Sequence, residues 1–193
     1  MSNKAEKEMQ HLIERGRPLI LEIASARSCI SSTRLAVEYL RGRNIKAEPL
    51  TVRAHVLSPA MVEKINQYGG LPEDKATIDR WYEESDQVWG IGLGMSEIPA
   101  EAGNWPGHLV ALVENKYLLD LSIDQASRPE RGLLLEPFFI EVPSDFLQGG
   151  GISVAATSGA ELHYWARPAD KSFLQAGDWR KLWQLKQILA QMG

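Results

Sequence analysis

The sequence is poor in cysteine, because its 193 residues include only one, Cys29. A single cysteine excludes an intrachain disulfide framework and any metal centre built from several thiolates. Two interpretations remain for this side chain, a small buried residue or a reactive thiol. The sequence around Cys29 has to distinguish between them.

Long hydrophobic runs are also missing. The longest ones, Leu109–Val113 and Leu133–Leu135, are far shorter than the roughly 20 apolar residues that a membrane helix needs. Residues 1–15 are charged and amphipathic, without the apolar segment of a signal peptide. We therefore expect a cytoplasmic protein with no membrane partner.

No excess of positive charge is present either. The 21 Lys and Arg residues are outnumbered by 25 Asp and Glu residues, and the formal net charge is −4. This balance argues against nucleic acid as a partner. The histidines outside the candidate site, His11, His55 and His163, are scattered without the spacing of metal ligands. We expect no metal and no cofactor.

The hydrophobic pattern places most helices before most strands. It predicts helices at 4–15, 29–43, 59–68, 76–84 and from Asp178 onward, and it is ambiguous at 19–26. It predicts strands at 50–56, 87–93, 107–113, 116–122, 133–142, 152–156 and 160–166. This order indicates an α+β fold with a mainly antiparallel sheet. The length favours one domain over residues 1–193.

Cys29 directly follows Ser28, a residue suited to cap the helix predicted after it. The thiol would then lie in the first helical turn, where free N–H groups and the helix dipole favour the thiolate. The same N–H groups can hold an oxyanion that forms at an acyl carbon. This position favours a reactive cysteine.

A thiol nucleophile usually needs a base and a group that orients the base. His108 begins one strand of a predicted hairpin and Asp120 ends the other, with Asn115 in the turn between them. If the hairpin is symmetric about 114, the two residues lie directly opposite each other, with Cβ atoms about 5 Å apart. A one-residue slip would turn Asp120 to the other face, which leaves Asp124 and Asn104 as alternative orienters.

The order of these residues resembles the papain-like superfamily, and it is most similar to the transglutaminase-like and arylamine N-acetyltransferase-like branch. The segments that carry the resemblance are Cys29-Ile-Ser-Ser-Thr-Arg-Leu-Ala-Val-Glu-Tyr-Leu and Gly107-His-Leu-Val-Ala-Leu-Val-Glu-Asn-Lys-Tyr-Leu-Leu-Asp. The resemblance implies a helix bearing the cysteine, packed on a mainly antiparallel sheet. It implies a catalytic core at about 25–125, with further strands and a closing helix at 126–193.

By this resemblance Cys29 is the nucleophile, His108 the general base and acid, and Asp120 the orienter of a catalytic triad. The implied activity is thiol-dependent acyl transfer on an amide or thioester of a small molecule or peptide, by a hydrolase or an acyltransferase. Trp105 and Asn104 are candidate substrate-binding residues, although core or lid packing is the alternative for Trp105. The competing hypothesis is a catalytically inactive module of the same fold that binds a protein partner.

Overall fold

The computed structural model describes residues 3–23, 29–94, 105–176 and 182–192. Its helices are α1 (Lys4–His11), α2 (Arg17–Ile23), α3 (Cys29–Gly42), α4 (Pro59–Tyr68), α5 (Lys75–Glu84) and α6 (Leu182–Met192). Its strands are β1 (Ala47–Leu57), β2 (Gly90–Leu93), β3 (His108–Val113), β4 (Tyr117–Asp120), β5 (Phe138–Glu141), β6 (Gly151–Ala155) and β7 (Glu161–Ala166). The predicted α+β class is confirmed.

The helix limits follow from local capping. The Ser58 hydroxyl accepts a hydrogen bond from the Met61 amide, and Pro59 occupies the first turn of α4. Gly69 ends that helix with a left-handed φ of 86°, which a residue without a Cβ adopts at no cost. The predicted helix from Asp178 starts outside the described residues, whose last helix is α6.

Two predicted limits need correction. The amino-terminal helix does not stop at 15, because a π-helical turn at Leu12–Gly16 joins α1 to α2, and the ambiguous segment at 19–26 is helical as far as Ile23, where the described range ends. The strand predicted at 133–142 is reduced to β5. Arg128 and Leu133 instead form an isolated antiparallel bridge.

The seven strands form one sheet in the order β5-β4-β3-β1-β7-β6, and β2 also pairs with β1. Every strand pair is antiparallel. The apolar core is divided between the two faces of the sheet. One part lies among α1, α2, α3 and α6, and the other contains Val110, Leu118 and Tyr164 on the opposite face.

The long strand β1 determines where β3 begins. Along one edge, β3 pairs with residues 47–52 of β1, and β2 pairs with residues 54–57. The end of β2 and the start of β3 therefore meet near the middle of β1. Gly94 makes this close approach possible, because a Cβ at this position would lie 2.6 Å from the Val52 carbonyl oxygen and 3.1 Å from the His108 nitrogen. His108 is thus the first residue of a strand in the centre of the sheet.

Candidate active site

Cys29 lies at the start of α3, against the beginning of β3. The Thr33 hydroxyl, one turn further along the helix, donates a 2.8 Å hydrogen bond to the Leu109 carbonyl oxygen and ties α3 to this strand. The partly exposed Cys29 thiol is 4.0 Å from the Gly107 carbonyl oxygen. Its side chain also interacts with the imidazole of His108 and helps to raise the pKa of that ring. The capping role expected for Ser28 lies outside the described residues.

His108 and Asp120 meet across the predicted hairpin. Nε2 of His108 is 2.6 Å from Oδ2 of Asp120, and both side chains are buried. Since Nε2 faces the carboxylate, Nδ1 is the ring nitrogen left for the thiol. The imidazole therefore interacts with both the carboxylate of Asp120 and the side chain of Cys29.

The register of this hairpin differs from the prediction. Ala111 pairs with Leu119 and Val113 with Tyr117, so the hairpin is symmetric about 115 and not about 114. Glu114 and Asn115 in the loop both have positive φ, 53° and 54°. The direct opposition of residues 108 and 120 was therefore wrong, because the same register places Val110 opposite Asp120. His108 is two positions away from Val110 along β3, and side chains two positions apart lie on the same face of a strand. His108 and Asp120 therefore still share one face of the sheet.

The Asp120 carboxylate accepts hydrogen bonds from three residues. Besides His108, the Tyr164 hydroxyl donates to Oδ2 at 3.0 Å. The amide and hydroxyl of Ser122 donate to Oδ1 at 2.9 and 3.1 Å. A buried carboxylate with this many donors is held in one orientation. Asp120 therefore has the surroundings that an orienting residue requires.

Burial and charge act against each other on this pair. Burial disfavours the imidazolium form of His108, but the charge of Asp120 and their hydrogen bond outweigh it and raise the pKa of His108 from 6.5 to about 10, with a smaller contribution from Cys29. Burial likewise disfavours the Asp120 carboxylate. The charge and hydrogen bond of His108, with the donors at Ser122 and Tyr164, nevertheless lower the Asp120 pKa. The pair is an imidazolium and a carboxylate at neutral pH.

Trp105 lies near the candidate site. It packs, as Cys29 does, against a small apolar cluster that contains Leu109 and Phe173. Its indole nitrogen donates a 2.8 Å hydrogen bond to the Ser172 hydroxyl, and its ring meets Phe173 edge to face. The indole also lies against Gly107, where a Cβ would be 2.1 Å from Cζ2 of Trp105. The residue is thus a wall of the site, and contact with substrate stays a prediction.

Of the two alternative orienters, the structure describes only Asp124, which does not take that position. Asn104 lies outside the described residues. Asp124 instead forms a bidentate ion pair with the buried Arg17, at 2.6 Å for Nη2–Oδ1 and 2.9 Å for Nε–Oδ2. Arg17 also reaches the Ser32 hydroxyl at 3.2 Å. This ion pair links α2, α3 and the segment that follows Asp120.

Sequence reasoning missed two of the residues that hold Asp120. Ser122 had a local signal, since a serine two residues after an aspartate can donate back to its carboxylate. Tyr164 had none, because it reaches the site only through the pairing of β7 with β1. Arg17 was missed for the same reason, as its partner is 107 residues away.

Within residues 3–23, 29–94, 105–176 and 182–192, no group of three or more His, Cys, Asp or Glu side chains is arranged to hold a metal ion. None of the helices in these same ranges is both long and apolar enough to cross a bilayer.

Comparisons of the chain with protein-family models, with curated proteins and with solved structures found no match. The chemistry of the site therefore rests on its own geometry.

Proposed function

We propose that this protein is a thiol-dependent acyl-transfer enzyme whose nucleophile is Cys29. The observation that carries the proposal is the interaction of the only thiol in the chain with the imidazole of His108, whose Nε2 is bound to a buried carboxylate. A nucleophile, a base and an orienting group in this order are the recurring requirement for covalent acyl catalysis. The same contacts support a papain-like fold of the transglutaminase-like type.

The proposed reaction has two halves. In the first half, the Cys29 thiolate beside the His108 imidazolium attacks the carbonyl carbon of an amide or thioester. The tetrahedral intermediate then expels an amine or thiol, which leaves with the proton from His108, and a thioacyl enzyme with a neutral His108 remains. In the second half, water or an amine attacks the thioacyl carbon while His108 removes its proton, and the thiolate is expelled beside the imidazolium with release of an acid or an amide.

Asp120 acts on His108 and not on the substrate. Its carboxylate stabilises the imidazolium that exists while the sulfur is deprotonated, and it holds Nε2, which leaves Nδ1 for proton exchange with the reacting groups. The positive ring beside the sulfur favours the reactive thiolate. This arrangement serves a hydrolase and an acyltransferase equally, because the two differ only in the acceptor of the second half.

Alkylation of the thiol by iodoacetamide at pH 7 tests the proposal. Cys29 is the only cysteine, so the gain in intact mass reports this residue alone, and the same chain unfolded in urea supplies the rate of an ordinary thiol. We expect the folded chain to react at least about tenfold faster. His108→Gln should remove this advantage, whereas His11→Gln, at the end of α1, should preserve it. A folded thiol that reacts no faster than the unfolded one would contradict the proposal and favour the inactive binding module.

A second measurement examines acyl chemistry directly. We expect a simple activated ester, p-nitrophenyl acetate, to leave an acetyl group on the wild-type chain, detectable by intact mass. The Cys29→Ala chain should remain unmodified while its circular dichroism matches the wild type. Acetylation of both chains at the same rate would place the reaction on other nucleophiles.

A further inference from the structure

A second pocket lies far from the thiol chemistry, between α4, the segment after it and strands β1 and β7. Its volume is about 250 Å³, enough for a molecule of one or two rings. Its apolar walls are formed by Leu57, Val62, Ile65 and Leu71. None of Cys29, His108 and Asp120 lines it.

His163 and Trp165 form the aromatic side of this pocket. Nδ1 of His163 is 2.8 Å from the hydroxyl of Ser153, its cross-strand neighbour, and Nε2 is 3.4 Å from the Glu161 carboxylate. Both ring nitrogens are therefore engaged, and the ring is held in place. The Trp165 ring lies nearly parallel to it at 6.2 Å between centroids. Since 38% of Trp165 is exposed, its indole is available to a planar ligand.

His55 supplies an imidazole that is available for hydrogen bonding. It lies opposite His163 in the pairing of β1 with β7 and lines the pocket. Among the described residues it has no hydrogen-bond partner. Burial, together with the nearby His163, lowers the pKa of His55, so the imidazole is neutral at pH 7. A neutral imidazole accepts one hydrogen bond and donates one.

The surroundings also restrict the charge of a ligand. An anion would face the carboxylate of Glu161, which lines the pocket. A cation would lose water to the apolar walls, a cost that the Glu161 carboxylate, itself 41% exposed to water, offsets only in part. We propose that this pocket binds a small, neutral, planar aromatic molecule that donates one hydrogen bond to His55 and lies against Trp165.

Indole is a suitable probe because it is neutral, planar and carries one N–H group. The full-length chain is titrated with indole while the ring C–H signals of His55, His163 and Trp165 are followed by NMR. Three analogues each change one property: 1-methylindole lacks the donor, indole-3-acetate is an anion and tryptamine is a cation. We expect saturable shifts with indole and at least about tenfold weaker binding of all three analogues.

Substitutions of residues that line the pocket test whether indole binds there. His55→Ala and Trp165→Ala should each weaken indole binding at least about tenfold, whereas His11→Ala, on α1, should leave it unchanged. Cys29→Ala should also leave it unchanged, which separates this site from the proposed thiol chemistry. The comparison of indole with its three analogues uses only the wild-type chain. It therefore tests the inference even if a variant fails to fold.

Three results would overturn the inference. The first is an absence of saturable shifts at His55, His163 and Trp165. The second is equal affinity for indole and its three analogues, which would indicate unspecific apolar contact. The third is loss of indole binding in Cys29→Ala, which would move the ligand to the thiol site.

Discussion

His108 and Asp120 are diagonal neighbours on β3 and β4, and Nε2 of the histidine still lies 2.6 Å from Oδ2 of the aspartate. Diagonal side chains on one face of an antiparallel pair remain within reach of each other when one of them is long. The imidazole spans the offset along the strand, and it also interacts with Cys29. This diagonal contact connects the sheet to the start of α3.

The first prediction concerns the charge of Asp120. In Asp120→Asn we expect the pKa of His108 to fall from about 10 to below its ordinary 6.5, because burial then acts almost alone on the imidazolium. An NMR titration of the His108 ring signals measures this change. The matched control is Asp145→Asn, on an exposed turn, which should leave the titration as in the wild type. A pKa that stays near 10 in Asp120→Asn would refute the assigned cause.

The second prediction concerns the pH dependence of stability. The folded pKa of His108, about 10, exceeds the ordinary 6.5 expected for the unfolded chain. Between these values the folded state binds more protons, so the free energy of unfolding contributed by His108 is complete below pH 6.5 and is lost as the pH rises toward 10. Urea unfolding at several pH values should show this decline in the wild type. It should be weaker in His108→Gln and fully present in His11→Gln, and identical slopes in all three chains would contradict it.

The third prediction concerns the contact of Gly107 with Trp105. A Cβ at Gly107 would lie 2.1 Å from Cζ2 of the indole, so Gly107→Ala should displace the ring and break its hydrogen bond to Ser172. We expect a loss of about 1–3 kcal/mol in the free energy of unfolding and a shifted indole N–H signal. We also expect an altered rate of Cys29 alkylation, because the indole and Cys29 pack against the same apolar cluster.

Gly42→Ala is the matched control for this substitution. A Cβ at Gly42 meets nothing within 4 Å, and the residue ends a helix, where alanine is favoured over glycine. Its stability should equal or exceed that of the wild type, with the Trp105 signal unmoved. A Gly107→Ala chain that behaves in the same way would show that the indole is not confined at this position.

The fourth prediction concerns the ion pair of Arg17 and Asp124. The two side chains are exposed to different extents, 4% for Arg17 and 22% for Asp124. Asp124→Leu leaves a buried guanidinium without this carboxylate, whereas Arg17→Met leaves a carboxylate that water can reach. Removing one partner of a buried pair costs about 3–5 kcal/mol, and we expect Asp124→Leu to be the more damaging of the two.

The double variant Arg17→Met with Asp124→Leu completes this test. Because it leaves neither charge alone, we expect it to be more stable than Asp124→Leu by chemical denaturation. Equal losses in the two single variants, or a double variant whose loss is the sum of theirs, would show that the pair is effectively solvated.

Much of the fold could be predicted from local patterns. Strict alternation over 50–56 predicted β1, and the apolar period from Cys29 predicted α3, because both elements bury one side of a regular repeat. The predicted strand at 133–142 was too long, since its apolar residues near Leu133 enter the core from an irregular segment. A run of apolar residues predicts that a segment is buried. The segment forms a strand only where a neighbouring strand completes its backbone hydrogen bonds.

The sequence by itself determined that one cysteine, at the start of a helix, precedes a hairpin that carries a histidine and an aspartate. Only the tertiary structure decided which aspartate the histidine meets, because the register of β3 and β4 depends on a loop of positive-φ residues and on packing. The same holds for Tyr164 and Arg17, whose partners are distant in the chain. Long-range contacts of this kind leave no local pattern, since they arise only when the sheet is assembled.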